Sequence, residues 1–137
     1  MQVVVFGVFS FLHPGHLYFL SKAAEHGVSV HIQLTRDEIV EKLKSKPPLR
    51  DQETRLTSLK QLGKPYQVEL GDDTLGRYSI FEKLPTNETI IFLGYDQDKL
   101  EEDLRRRMEN GQLPSLKIIR VDAFEPERYH TSILHPH

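Results

Sequence analysis

The chain has 137 residues, a formal net charge of −2, 38% hydrophobic and 28% charged residues, and no cysteine. That composition fits one soluble globular domain, residues 1–137, with enough chain to bury a core. It excludes a general attraction to nucleic acid or anionic lipid, a membrane span, disulfides, thiolate metal sites and a cysteine nucleophile. The first strand starts almost at Met1, so no signal peptide is expected and the compartment expected is the cytoplasm.

Gln2 to Phe6 is an apolar, β-branched run that reads as a buried central strand. Gly7-Val8-Phe9-Ser10-Phe11-Leu12-His13-Pro14-Gly15-His16 follows, and Leu17 to His26 reads as a helix stopped by Gly27. Pro14 disfavours helix at His13 and suits the first helical position itself. His13 is then the N-cap, Gly15 the second helical residue and His16 the third. The first-turn N–H groups and the positive end of the helix dipole point the same way as both imidazoles, and Gly15 leaves the backbone open. Together these parts make an anion site, with phosphate the natural occupant. Imidazole donates a hydrogen bond whether neutral or charged, so the pair can stabilise charge developing on a phosphoryl group. The plainer alternative is a capped helix with a second, solvated histidine. A zinc metalloprotease pair needs i, i+4 spacing with a glutamate between; this pair is i, i+3 with Pro and Gly between, and no metal site is expected.

Val28 to Leu34 alternates apolar and polar residues as a strand does, with His31 structural or half exposed. Thr35-Arg36-Asp37 stands at its carboxyl end, and Asp37 to Leu43 reads as a short helix with acids in its first turn. Lys44 to Arg50 is a basic, proline-bearing loop without acids. It is either solvated or a lid that brings the cations Lys44 and Lys46 to a triphosphate. Asp51 to Leu62 is a helix with Asp51 as N-cap and Leu56, Leu59 and Leu62 inward; Arg55 pairs with Asp51 or reaches phosphate. Tyr66 to Leu70 alternates, as an edge strand does. Gly71-Asp72-Asp73 is a turn whose carboxylates need no acid–base role. Tyr78 to Leu84 reads as a short helix.

Thr89 to Leu93 is a strand buried on both faces, ending at Gly94-Tyr95-Asp96-Gln97. Asp98 to Asn110 is a charged helix. Its Arg105, Arg106 and Arg107 follow Glu101, Glu102 and Asp103 by one turn, the spacing of surface ion pairs rather than of a nucleic-acid patch. Leu116 to Val121 is the last strand. Thr131 and Ser132 open a final helix, either as a plain cap or as a second anion site.

This alternation predicts an α/β fold: a Rossmann-like three-layer sandwich around a five-stranded parallel sheet, order 3-2-1-4-5. In that order the outgoing helices of strands one and four diverge, and the crevice between their carboxyl ends is the expected site. Gly7 to His16 and Gly94 to Gln97 both leave the sheet there. Neither a Gly-x-Gly-x-x-Gly fingerprint nor a Gly-x-x-x-x-Gly-Lys-Ser/Thr loop is present, so phosphate binding falls to the histidine turn.

Gly7 to His16 resembles the signature of the cytidylyltransferase-like nucleotidyltransferases: glycine, a variable residue, phenylalanine, usually aspartate, then His-x-Gly-His. Thr35-Arg36-Asp37, Lys44 with Lys46, Glu53 with Arg55, and His130-Thr131-Ser132 match further segments. Leu93-Gly94-Tyr95-Asp96-Gln97 looks most like archaeal-type FAD synthases. Ser10 stands for the usual aspartate, Val8 for a common threonine or serine, His130 for a common serine, and the C-terminal cysteines of archaeal-type FAD synthases are missing.

The resemblance implies transfer of a nucleoside monophosphate from a nucleoside triphosphate, ATP or CTP, to the phosphate of a small acceptor. Pyrophosphate leaves with Mg²⁺ carried by the nucleotide. It implies His13 and His16 on the α- and β-phosphates and Lys44 or Lys46 over the leaving group or acceptor. Thr131 and Ser132 would hold the β,γ end, and Asp96 with Gly94 the sugar or base. Gly7, Val8, Phe9, Gly15, Arg55 and Tyr95 complete the nucleotide-binding set. Adenylyl transfer to FMN leads; cytidylyl transfer to glycerol 3-phosphate and phosphopantetheine adenylylation follow. A nucleotide-binding module without catalysis is the reading from another class. The family often forms homodimers, and neither a nucleic-acid nor a membrane partner is expected.

Overall fold

A computed structural model of the chain describes residues 1–121. Five strands form one sheet in the order β3-β2-β1-β4-β5. They are β1 (Gln2–Gly7), β2 (Ser29–Leu34), β3 (Tyr66–Leu70), β4 (Thr89–Leu93) and β5 (Lys117–Arg120), and every neighbouring pair is parallel. The helices are α1 (Pro14–Ala24), α2 (Asp37–Lys44), α3 (Gln52–Lys60) and α4 (Asp98–Glu109). The expected order and the parallel sense are both observed, and β3 is indeed an edge, paired to β2 alone.

Side chains of a strand alternate between faces, so β1 feeds two cores. Val3 and Val5 pack on one face with Leu20 and Ala23 of α1, Leu59 of α3, Ile32 of β2 and Phe92 of β4. Val4 packs on the other with Ile91 and Leu93 of β4, Leu104 of α4 and the pair Ile80–Phe81. These two clusters make the layers above and below the sheet. Strand β4 is buried at all five positions, as a strand covered on both faces must be.

Two expectations are corrected. Tyr78 to Leu84 is not an α-helix; a 3-10 turn covers only Ser79–Glu82. Tyr78 before it takes a left-handed φ of 52°, and the Asp72 carboxylate accepts from the Ser79 amide at 2.8 Å. That entry buries Ile80 and Phe81. Gly27 does not end α1 through a left-handed cap; the helix closes earlier, at Glu25, in right-handed geometry. Glycine is needed there because a Cβ would sit 2.5 Å from the Met1 carbonyl oxygen, which accepts from the Val28 amide.

The arginines of α4 behave as expected. Arg105 bonds Glu101 at 2.7 Å, and Arg106 and Arg107 both bond Asp103. Tyr78 donates to the same Asp103 carboxylate at 2.6 Å, so burial and that anion push the phenol well above its ordinary range. Among the described residues, no helix is long and apolar enough to cross a membrane.

Candidate active site

The site begins where β1 ends. Phe9 takes a left-handed φ of 47°, which folds its ring back over Gly7. A Cβ at position 7 would lie 2.5 Å from the Phe9 ring, so only glycine leaves space for it. The Gly7 carbonyl accepts from both the Thr35 amide and the Thr35 hydroxyl, at 3.0 and 3.1 Å. The turn after β1 is thereby fastened to the end of β2.

His13 then caps α1. Its Nδ1 accepts from the Gly15 amide at 3.0 Å, with Pro14 in the first turn as expected. That bond has a chemical consequence. With Nδ1 as the acceptor, the proton of the neutral ring sits on Nε2, and Nε2–H remains as a donor. It also uses the Gly15 amide, so that N–H is not open to a ligand as the helix-start pattern suggested. The His13 and His16 rings stack at 3.8 Å between centroids, tilted by 23°. Phe9 meets His16 edge-on at 5.3 Å. Burial lowers the His16 pKa, and the neighbouring His13 lowers it further; the Phe11 carbonyl and the Asp96 carboxylate pull the other way. The net effect favours the neutral ring of His16. Its Nδ1 is buried and makes no hydrogen bond of normal geometry among the described residues.

The second half comes from β4. Gln97 spans the crevice: its Nε2 donates to the Phe6 carbonyl at 3.0 Å, and its Oε1 accepts from the Gly94 amide at 2.8 Å. One side chain thus ties the loop after β4 to the end of β1. Asp96, inside that loop, is the carboxylate that acts on His16. The two segments converge at the middle of the sheet, as the strand order requires. Tyr95 is 55% exposed beside them.

Arg55 differs from both of its expected roles. It is fully buried, and Asp51 caps α3 through the Thr54 amide instead. The Arg55 guanidinium donates to the carbonyls of Val8 and Thr35, each at 2.8 Å, to the Arg50 carbonyl at 3.0 Å and to Asp37 at 2.7 Å. Four of its five N–H donors are used in these bonds, and at 0% exposure the guanidinium is closed to a phosphate in the crevice. Arg55 lies beneath the turn and holds Val8, the end of β2 and the end of the basic loop in register. Arg36 is likewise committed, to the Gly71 carbonyl at 2.8 Å.

Lys44 is the last residue of α2, Ser45 turns left-handed at φ 59°, and Lys46 follows in the loop. Both lysines are exposed, and neither has an ion pair among the described residues. The far end of this loop touches the histidine turn: the Arg50 guanidinium lies 4.9 Å from the centroid of the Phe11 ring. Thr131, Ser132 and His130 lie outside the described residues. In sequence Gln97 reads only as the end of a loop, and nothing marks Thr35 as the second anchor of Gly7. Their partners are backbone carbonyls on other strands, which no local pattern reveals. Among the described residues no group of three or more His, Asp or Glu side chains is arranged to hold a metal ion.

Comparison with known proteins decides the family. The model of the family described as cytidylyltransferase-like matches residues 4–134. The chain belongs to this family. An FAD synthase of Pyrococcus horikoshii is 33% identical over 133 residues, covering 96% of this chain and 88% of its own. An FAD synthase of Pyrococcus abyssi is 36% identical, covering 85% of this chain and 82% of its own. Among solved structures, a lipopolysaccharide core biosynthesis protein from Thermoplasma volcanium matches with a TM-score of 0.76 at 28% identity, over 91% of this chain and 98% of that one.

Proposed function

We propose that the chain transfers the adenylyl group of ATP to the phosphate of FMN. The observation that carries this reading is the stacked pair His13–His16 at the start of α1, with Asp96 acting on it from the neighbouring loop. The similarity to archaeal FAD synthases over most of the chain supports the choice of ATP and FMN. An oxygen of the acceptor phosphate attacks the α-phosphorus in line, the bond to the bridging α,β-oxygen breaks, and pyrophosphate leaves. Charge gathers on the phosphoryl oxygens and on the leaving group, so the protein contributes placement and charge neutralisation.

The chain's own groups divide that work. Nε2–H of His13 and the ring of His16 serve the α- and β-phosphates. A neutral His16 donates without the desolvation cost of a buried cation. Lys44 and Lys46 supply positive charge from the loop that Arg50 moors to Phe11. Asp96 and the Gly94 backbone face the sugar or base, and Thr131 and Ser132 serve the β,γ end. Gly7, Val8 and Phe9 shape the floor, with Arg55 holding Val8 from below. The divalent cation, magnesium in this reading, enters with the nucleotide as part of the substrate.

The test is pyrophosphate release from a matrix of ATP and CTP against FMN, glycerol 3-phosphate and phosphopantetheine. Release with ATP and FMN is the expected result. Release with CTP and glycerol 3-phosphate would move the assignment to cytidylyl transfer. Nucleotide binding without pyrophosphate from any acceptor would make the chain a binding module.

A further inference from the structure

Arg120 is the last residue of β5, and nothing in its sequence setting marks it as more than a strand end. Its guanidinium is nevertheless spread over three partners. Nη1 donates to Glu101 at 2.7 Å, and Nη2 donates to Asp98 at 2.9 Å and to the Tyr95 carbonyl at 2.5 Å. The carboxylates belong to the first turn of α4, the carbonyl to the loop that carries Asp96. The adjacent backbone closes the same corner: the Val121 amide donates to the Leu93 carbonyl at 2.9 Å.

We propose that Arg120 is a positioning residue for the site, holding the Tyr95–Asp96 peptide in place on the loop that Gln97 ties to the end of β1. The loop after β4 has two moorings. Gln97 ties its inner side to the Phe6 carbonyl, and Arg120 ties its outer side at Tyr95. Asp96 is the residue between them. Arg120 is itself pinned by two anions, and Glu101 is pinned in turn by Arg105 at 2.7 Å. The fork of an arginine is required. A lysine offers its three N–H groups from one nitrogen, whereas these three acceptors are spread over two nitrogens of the guanidinium. A simple staple between β5 and α4 would need only the carboxylates; the bond to the Tyr95 carbonyl is the one that bears on the site.

This inference rests on the nucleotidyl-transfer reading for its meaning, but its first measurement does not depend on substrate. The His16 ring is titrated by NMR in the wild type, Arg120→Gln, Asp96→Asn and the double variant. The expected result is a lower His16 pKa in Arg120→Gln, in the direction of Asp96→Asn, because the carboxylate that favours the charged ring has moved away. The double variant then falls no further than Asp96→Asn alone, the signature of two residues acting through one contact. Arg120→Lys keeps a cation beside Glu101 and Asp98 and releases the carbonyl, so it shows the same shift in a chain whose stability is preserved. A His16 titration unchanged in Arg120→Lys and Arg120→Gln would overturn the proposal. The second measurement is ATP affinity by calorimetry without acceptor. Weakening of about tenfold, the scale of one charge-assisted hydrogen bond, is expected for Arg120→Gln. Unchanged affinity with a lowered Tm would reduce Arg120 to a staple. A wild type that binds no ATP would sink the nucleotidyl-transfer reading instead, and the titration would still decide the role of Arg120.

Discussion

The two loops that leave the middle of the sheet are held by opposite means. The turn after β1 is gripped from inside the protein. Arg55, fully buried, serves three carbonyls and one carboxylate, and Thr35 serves a fourth carbonyl. The loop after β4 is gripped nearer the surface, by Gln97 across the crevice and by Arg120, whose side chain is 30% exposed. Buried donors that satisfy buried carbonyls are costly to remove, because the orphaned groups cannot turn to water. Donors at the rim are cheaper, since water can replace them. The turn that carries the histidines is therefore held by costlier bonds than the loop that carries Asp96.

The sharpest way to break this contrast is to remove the inner grip. Arg55→Met should cost more than roughly 3 kcal/mol, the low end for a buried pair because Asp37 stays partly exposed, and lower Tm by roughly 10 °C. Thermal unfolding checks it, and a variant of wild-type stability would mean that the guanidinium is not the anchor. Next in size is a loss of rate at constant stability. His16→Ala removes the ring that the proposed function sets on the reacting phosphates and should reduce kcat on the order of 10²–10³-fold while Tm changes little. Pyrophosphate release and calorimetry on the same sample separate the two effects. Gln97→Leu probes the outer loop and should cost about 1–2 kcal/mol, clearly less than Arg55→Met. A Gln97→Leu variant as unstable as Arg55→Met would erase the distinction between the loops.

Much of this plan is legible in the chain itself. Uninterrupted apolar runs at Val3 to Phe6 and Thr89 to Leu93 mark the central strands, and alternation at Tyr66 to Leu70 marks the edge. Pro14 after His13 marks the start of α1 to the residue. What stays hidden is tertiary. The sequence offers Asp51 as the neighbour of Arg55, but the ion pair is with Asp37, and the remaining donors go to carbonyls that carry no sequence signal. Arg120 reads as a strand end. Its partners, Glu101, Asp98 and the Tyr95 carbonyl, lie 19 to 25 residues away, beyond any local pattern.

The smallest expected effect sharpens the account of His16. Its pKa is lowered in the folded chain, so below the ordinary histidine value of 6.5 the unfolded chain binds the proton first. Stability is then full above that value and falls as pH drops through the folded pKa. His16→Gln should flatten part of this slope in Tm against pH. His31, whose pKa burial also lowers, keeps the remainder. An unaltered slope in His16→Gln would place His16 in a more polar setting than the stacked rings indicate.

The missing side chain at Gly7 has a reach beyond its own turn. Phe9 rests against that bare backbone on one side and abuts His16 on the other. A single methyl group at position 7 would drive the phenyl ring toward the imidazole, as a shim under one tile lifts the next. The placement of the imidazole thus depends on an absent atom nine residues before it in the chain.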